Sequence, residues 1–497
     1  MKKIFFLCIF VIISVLCKDL YAQYPYNDYE TSKLREFLLQ ESAEPGVKNY
    51  EQLGLTQMNY IDWWSVPGLD FHNQSFLLIR VRWSDRKLAG NLDLSGFEIL
   101  KDVFCDFNEL TNLDVTGSLS IVNIDCYENN FQTLDFTTNV NLEQLCFRYN
   151  NIREIDLSKN KKLSFLCCTG NQLDSLNLSG LNKLSTCYCV ENNLIYINLE
   201  RCDLLRDFLC MDNNLTSLDL SGKSYLKKFS CARNNISDLK VENCDYLSSA
   251  DCSDNKLKNL DFSGCSQLTY IRCSDNLLES IDIEDCALLE ELYCYNNKIA
   301  FLKMPESPFL NTVQCKNNNM DFYSLPKIDS ESVSFIYYPQ NIRYIDADIN
   351  NVDFSLYYEI EGFVSNYTWN NNLILLKPEI VEDGIFRFEE YLANKQLICR
   401  IENKNSSFPK LVLRYDVTVT NNDVANKNPD KGLTSVYASE GFIHIAASSA
   451  AEAKVYSLQG ALLMTKNVHE GLTNIPFKQG VYVVAVNNGK GYKLVVR

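Results

Sequence analysis

The sequence predicts a mostly β chain organised around a parallel β-solenoid, and three regularities point to it. Asparagine recurs at a step of 21 residues, at Asn108, Asn129, Asn150, Asn171, Asn192, Asn213, Asn234, Asn255, Asn276, Asn297 and Asn318. Three residues before each stands a cysteine, from Cys105 to Cys315, with Phe147 as the one substitute. Ahead of each asparagine, apolar and polar residues alternate, as in Val103, Phe104, Cys105 and Asp106, the period of a strand with one buried face. No insertion breaks the step over these units, and a single unit cannot bury its apolar residues alone, so neighbouring units must stack.

The elements follow in order. Met1, Lys2 and Lys3 give a positive start, Ile4 to Leu16 an apolar run, and Ala22 a small residue, so residues 1–22 read as a secretory signal peptide cleaved near Ala22. That run is too short to span a bilayer comfortably, and no transmembrane segment is expected in the mature chain. Residues 23–98 read as an N-terminal cap. Thr31 to Gln40 suits an amphipathic helix, Trp63, Trp64 and Trp83 supply bulky cover, and Gly90 to Gly96 looks like an incomplete unit. A cap is required because an open solenoid end exposes an apolar rung and unpaired strand edges.

One unit reads Leu-x-x-Leu-x-Cys-x-x-Asn-x-Leu-x-x-Leu-Asp-Leu-Ser-Gly-x-x-x, as from Leu205 to Tyr225. It resembles the leucine-rich-repeat superfamily in its 21-residue, internalin-like form, found in bacterial surface proteins. The resemblance covers residues 99–325 as eleven repeats and implies a leucine-rich-repeat solenoid. The asparagine sits where the chain leaves the strand, and its carboxamide can satisfy backbone groups left unpaired by the bend, so the asparagines read as a structural ladder and not a ligand set. The cysteines occupy a column where the family usually carries leucine, and Cys202, Cys244, Cys265 and Cys286 form a second one. In-register side chains sit about 4.8 Å apart, whereas a disulfide needs converging Cβ atoms near ~3.8 Å. The thiols therefore read as a buried ladder of small hydrophobes. Metal binding and occasional disulfides, densest around Cys167, Cys168, Cys187 and Cys189, stand as alternatives. Asp114, Asp135, Asp156, Asp219, Asp261 and Asp282 make a further column, interrupted by Asn177, Asn198, Lys240 and Lys303. It reads as solvated or turn-capping, with a calcium ladder as the alternative.

Outward strand positions are free to vary, and they carry Phe104, Phe107, Tyr127, Tyr149, Phe165, Tyr188, Tyr270, Tyr293 and Tyr295 among Asp106, Glu128, Arg148, Arg233, Arg272 and Lys316. Solvent-facing aromatics mixed with both charges suit a protein or glycan partner at a host or bacterial surface. A net charge of −16 with no basic run argues against nucleic acid. Only three histidines are present, with no Gly-x-Ser-x-Gly elbow, His-Glu-x-x-His or phosphate loop, so no catalysis, cofactor or metal is expected. The competing reading is a structural spacer or matrix component supporting cell aggregation or biofilm.

After Leu325 the period stops. Short alternating runs such as Phe354 to Tyr358 and Leu397 to Ile401 predict a β-sandwich over 326–420. Trp369 followed by Cys399 resembles an immunoglobulin-like core, without the upstream cysteine that an inter-sheet disulfide would need. Residues 421–434 are polar and read as a linker. Residues 435–497 are again all-β. With Gly480, Val481 and Tyr482 opening a strand and a terminal apolar tail from Lys493, they resemble the C-terminal sorting domain of the type IX secretion system. That resemblance implies engagement of the secretion machinery and a product at the outer-membrane surface or outside the cell.

Overall fold

A computed structural model describes residues 26–58, 61–328, 332–371, 374–420, 435–439, 442–447, 451–457, 462–468, 471–476, 480–486 and 491–496. The expected signal peptide with Ala22 and the expected linker 421–434 lie outside these residues. The chain divides into two compact units. One holds the described residues up to Tyr344 with 357–370 and 398–416, and the other holds 345–356, 371–397 and the described residues from 417 onward.

The first unit is built on a 14-stranded sheet running from Leu69–Phe71 to Ser334–Ile336. Only the first pairing is antiparallel; every later strand pairs parallel with the next, in register, as Cys187 opposite Phe208 and Phe208 opposite Phe229. Most of these strands are three residues long, with the middle side chain buried. The corner after each strand turns through one left-handed residue. Phe107, Glu128, Tyr149, Glu191, Asp212, Arg233, Asp254, Asp275, Asn296 and Asn317 all have φ between 50° and 58°, and Gly170 completes the column at 69°. For a residue with a Cβ this conformation costs roughly 1–2 kcal/mol.

The asparagine that follows each left-handed residue stabilises the corner. Asn213 Nδ2 donates to the carbonyls of Cys189 at 2.9 Å, Cys210 at 3.1 Å and Met211 at 3.0 Å. Its Oδ1 accepts from the backbone N–H of Leu194 at 3.0 Å. The same four bonds recur at Asn255 and, rung after rung, along the column. None of the eleven asparagines is more than 9% exposed. Two of the four bonds reach the previous rung, so each corner is tied to its neighbour.

The opposite corner is handled more loosely. Ser118 Oγ, Asn139 Nδ2, Cys202 Sγ, Lys223 Nζ, Cys244 Sγ and Cys265 Sγ each donate to a carbonyl 24 residues upstream, at 2.6 to 3.3 Å. The second cysteine column therefore supplies weak donors as well as apolar volume. The aspartate column is turn-capping. Asp114, Asp135, Asp156, Asp219, Asp261 and Asp282 each accept from the N–H two residues on.

The sheet continues past both limits of the strict period. Arg80 pairs with Asp102 and Thr312 with Ser334, a step of 22 in place of 21. At the last rung Gln340, buried like the asparagines, takes over their role. Its Nε2 donates to Cys315 O, and its Oε1 accepts from the N–H groups of Asn318 and Met320. At the first, the helix spans Asp28–Leu38, starting earlier than the pattern predicts because Asn27 Oδ1 accepts from the N–H groups of Tyr29 and Glu30. Glu30, buried, accepts from Leu78 N at 2.8 Å on the edge of the ladder, and Phe37 stacks on Trp83 at 5.4 Å.

Also in this unit, residues 366–370 pair antiparallel with 398–402, which sets Trp369 opposite Cys399, both buried. Residues 326–420 are thus shared between the two units. The second unit contains the short antiparallel strands Val352–Asp353, Glu379–Glu382 and Ile385–Arg387. It also contains a three-stranded and a four-stranded antiparallel sheet from Ser435 onward. Gly480–Val486 runs between Ala451–Ser457 and Gly491–Val496, with Val481 opposite Val495, Tyr482 opposite Leu494 and Lys493 opposite Val483.

Replacing a mid-ladder asparagine leaves several buried backbone groups unpaired, each costing about 1–3 kcal/mol. Asn213→Ala should therefore lose on the order of 3 kcal/mol or more in urea unfolding, while Asn130→Ala, on an exposed neighbour, should change stability little.

Candidate functional site

The outward side chains of the sheet form continuous columns, and the aromatic residues singled out from the sequence all fall on them or on the adjoining corner. Phe104, Tyr188 and Tyr293 share the last strand position, Tyr270 lies two residues earlier in its rung, and Tyr127 and Tyr295 lie two residues later in theirs. Phe107 and Tyr149 occupy the left-handed corner.

The structure brings them together as two groups. In the first, Phe107 meets Tyr127 edge-on at 4.8 Å, and the Arg148 guanidinium lies 4.2 Å from the Tyr127 ring and 5.7 Å from that of Tyr149. In the second, Tyr270 and Tyr293 are 5.7 Å apart, Arg272 donates to the Tyr295 hydroxyl at 3.4 Å, and Lys316 lies 5.5 Å from the Tyr295 ring. Phe165 packs edge-on against Tyr188 at 6.0 Å, next to the first group. Between the two lie Leu209, Ser230, Ala232 and Ser253, together with the charged Asp207, Lys228 and Asp251.

The exposure of these outward aromatics differs from one to the next. Phe107 and Tyr149 are exposed, but Phe104, Tyr127, Tyr188, Tyr270, Tyr293 and Tyr295 are half-buried. Rungs lie close enough for rings of successive strands to settle edge-on or tilted against one another and under neighbouring cations. Each group is therefore preassembled and partly open to solvent.

The electrostatics differ between the groups. The Tyr293 hydroxyl donates to Glu291 at 2.7 Å, and that carboxylate pushes the phenol up to about 12. In the first group, burial and the neighbouring Asp106 carboxylate raise Asp125 to about 6. One Asp125 oxygen is buried without a hydrogen-bond partner among the described residues. Between the groups, Arg233 holds Asp212 through two bonds of 2.6 Å.

No protein-family model matches the chain, and no curated protein matches it. Among solved structures it is similar to the functional domain of InlJ from Listeria monocytogenes, which includes a cysteine ladder, at 18% identity and TM-score 0.40 over 68% of this chain and 90% of that one. It is also similar to YopM from Yersinia enterocolitica, at 21% identity and TM-score 0.37 over 53% of this chain and 61% of that one. A third likeness is to the Toll–Spatzle complex of Drosophila, at 18% identity and TM-score 0.38 over 52% and 42%. With the parallel ladder and its asparagine corner, the fold class is clear. The first unit carries a parallel β-solenoid of short in-register rungs.

The repeat solenoid has surface features that the sequence analysis did not single out. Leu204, Tyr225, Tyr246 and Phe309 fall on one exposed column, and the Tyr225 and Tyr246 rings stack 6.3 Å apart. The 21-residue step alone would have lined them up. A pocket of about 570 Å³ lies near the last rung, lined in part by Lys327, Phe335, Tyr337, Tyr338, Phe408 and Lys410. Among the described residues no three His, Cys, Asp or Glu side chains converge as a metal site. No helix among them is long and apolar enough to cross a membrane.

The raised Asp125 makes a prediction with a definite sign. Its folded-state pKa of about 6 lies above the unfolded value near ~4. Its contribution to stability is therefore fullest below pH ~4 and is lost as the pH rises through 6. Asp125→Asn should melt a few degrees higher than the wild type at pH 7.5, with the difference vanishing near pH 4, as read by circular dichroism.

Proposed function

We propose that this is an exported, non-enzymatic repeat protein, surface-exposed or secreted, which binds a protein or glycan partner through the outward face of its solenoid in adhesion to a host or bacterial cell. One observation carries this reading. Two preassembled groups of aromatic and charged side chains, around Tyr127 with Arg148 and around Tyr293 with Tyr295, are held on a hydrogen-bonded scaffold that needs neither for its own corners. Rigid aromatic anchors flanked by arginine are the residues that dominate measured interface energies.

The remaining parts are assigned to support that role. Residues 23–98 cap the solenoid, 326–420 form an immunoglobulin-like spacer, and 421–434 link it to the C-terminal segment. The features supporting export are the positive, apolar start ending near Ala22 and the all-β segment 435–497 with Gly480, Val481, Tyr482 and Lys493. In this reading the segment is a type IX sorting domain recognised by the secretion machinery.

Changing Tyr293 and Tyr295 together to Ala should weaken attachment of the purified protein to its target cells about 30-fold, the equivalent of ~2 kcal/mol for a pair of anchors. Urea unfolding should barely change. Full attachment by this variant and by the matching Phe107 and Tyr127 variant would overturn the binding reading. If cell aggregation survives both but fails on deleting 326–420, the spacer reading replaces it. Deleting 435–497 should leave the protein inside the outer membrane, as followed by fractionation.

A further inference from the structure

Four of the described cysteines belong to neither ladder, and of these Cys187 and Cys399 are buried inside their sheets while Cys146 and Cys167 stand together on the outward side. Cys146 and Cys167 occupy the same outward column as Phe104 and Tyr188, on adjacent strands, directly opposite one another in the parallel register. The other seventeen described cysteines, Cys167 among them, are buried, whereas Cys146 is half-exposed. Parallel neighbours in register have Cα atoms about 4.8 Å apart, inside the ~4.4–6.8 Å range that a disulfide spans. The bond further requires the two Cβ atoms to draw together, a shift that partly solvent-facing Cys146 makes more easily than a thiol packed in a buried ladder.

The surroundings suit sulfur chemistry. Cys146 is set between Asp125 and Cys167, its register partners on the two adjacent strands. The Arg148 guanidinium, held over Tyr127, lies close enough to both sulfurs to favour negative charge on them. The neighbouring Cys146 thiol, with the Arg148 guanidinium assisting, pulls the Cys167 thiol down to about 7, while Cys146 is held up. Burial, reinforced by the neighbouring ladder thiols, pushes Cys210, Cys252 and Cys294 well up, which keeps them protonated and inert. Cys167 is thus the readier thiolate and Cys146 the more accessible sulfur, and passing a proton between the two neighbours exchanges the roles.

We infer that Cys146 and Cys167 form a thiol-exchange site on the outward face, which captures an accessible disulfide R–S–S–R′ as a mixed disulfide and resolves it into a cross-strand Cys146–Cys167 bond. In the first step the Cys146 proton passes to Cys167 as Cys146 Sγ bonds to the R sulfur. The S–S bond of the reagent breaks and R′S⁻ leaves. In the second, Cys167 Sγ attacks Cys146 Sγ and its proton goes to the departing sulfur, releasing RSH. The two cysteines are oxidised by two electrons and the reagent disulfide is reduced to two thiols, so no other oxidant enters. The site borders the Phe107, Tyr127 and Arg148 group, so its oxidation state bears directly on that part of the face.

The test uses the full chain, reduced, then held folded with oxidised glutathione, alkylated and mapped by mass spectrometry. The wild type should yield a Cys146–Cys167 cross-link, while the ladder cysteines become alkylated only after unfolding. Cys167→Ser should stall as a glutathione adduct on Cys146, and Arg148→Gln should slow cross-linking several-fold. The inference is overturned if both thiols of the folded wild type stay fully alkylatable after glutathione treatment. Glutathione or cross-links spread equally over ladder cysteines would overturn it too. Because the wild-type map decides on its own, a variant that fails to fold does not blur the result.

Discussion

The structure of the solenoid depends on one carboxamide repeated at every rung. A chain leaving a short strand must turn sharply, and here it does so through a single left-handed residue, most often one with a Cβ. That turn is unfavourable by itself and leaves carbonyls and N–H groups pointing at each other's empty space. The following asparagine bonds to three carbonyls and one N–H, across its own rung and the one before. Corner geometry and rung stacking are therefore satisfied by the same side chain, which leaves the outward columns free of structural duty.

The two corners show how the strength of a requirement shapes the sequence. Where four backbone groups need partners, only asparagine serves across eleven rungs, and a glutamine serves at the last, where the spacing is longer. Where one carbonyl needs a donor, serine, asparagine, lysine and cysteine all serve. Cysteine in the second column is thus a small donor in an apolar setting, and no metal or disulfide is needed to account for it. The outward columns vary most freely, and on them the aromatic and charged groups of the proposed binding face are assembled.

Much of this was legible in the sequence because the repeat step never slips between Asn108 and Asn318. The end rungs were not, since one added residue on each side breaks the step and Gln340 replaces the expected asparagine. The half-burial of Tyr127, Tyr270 and Tyr293 was hidden as well, because it arises from ring packing between rungs and not from any property of one position. Cys146 passed unnoticed among twenty cysteines because it stands one place before Phe147, the one gap in the ladder. In 326–420 the alternation of short strands was visible, but the division of that segment between two units depends on contacts that no local pattern encodes.

The longer spacing at both ends has an evolutionary corollary. The added residues fall at the terminal rungs, and every interior junction keeps the same 21-residue step and the same asparagine corner. Unequal recombination within the gene, adding or removing 63 bases at a time, yields a longer or shorter protein whose termini meet the same neighbours as before. Reach can then change in a single genetic event, while the recognition columns are edited one codon at a time.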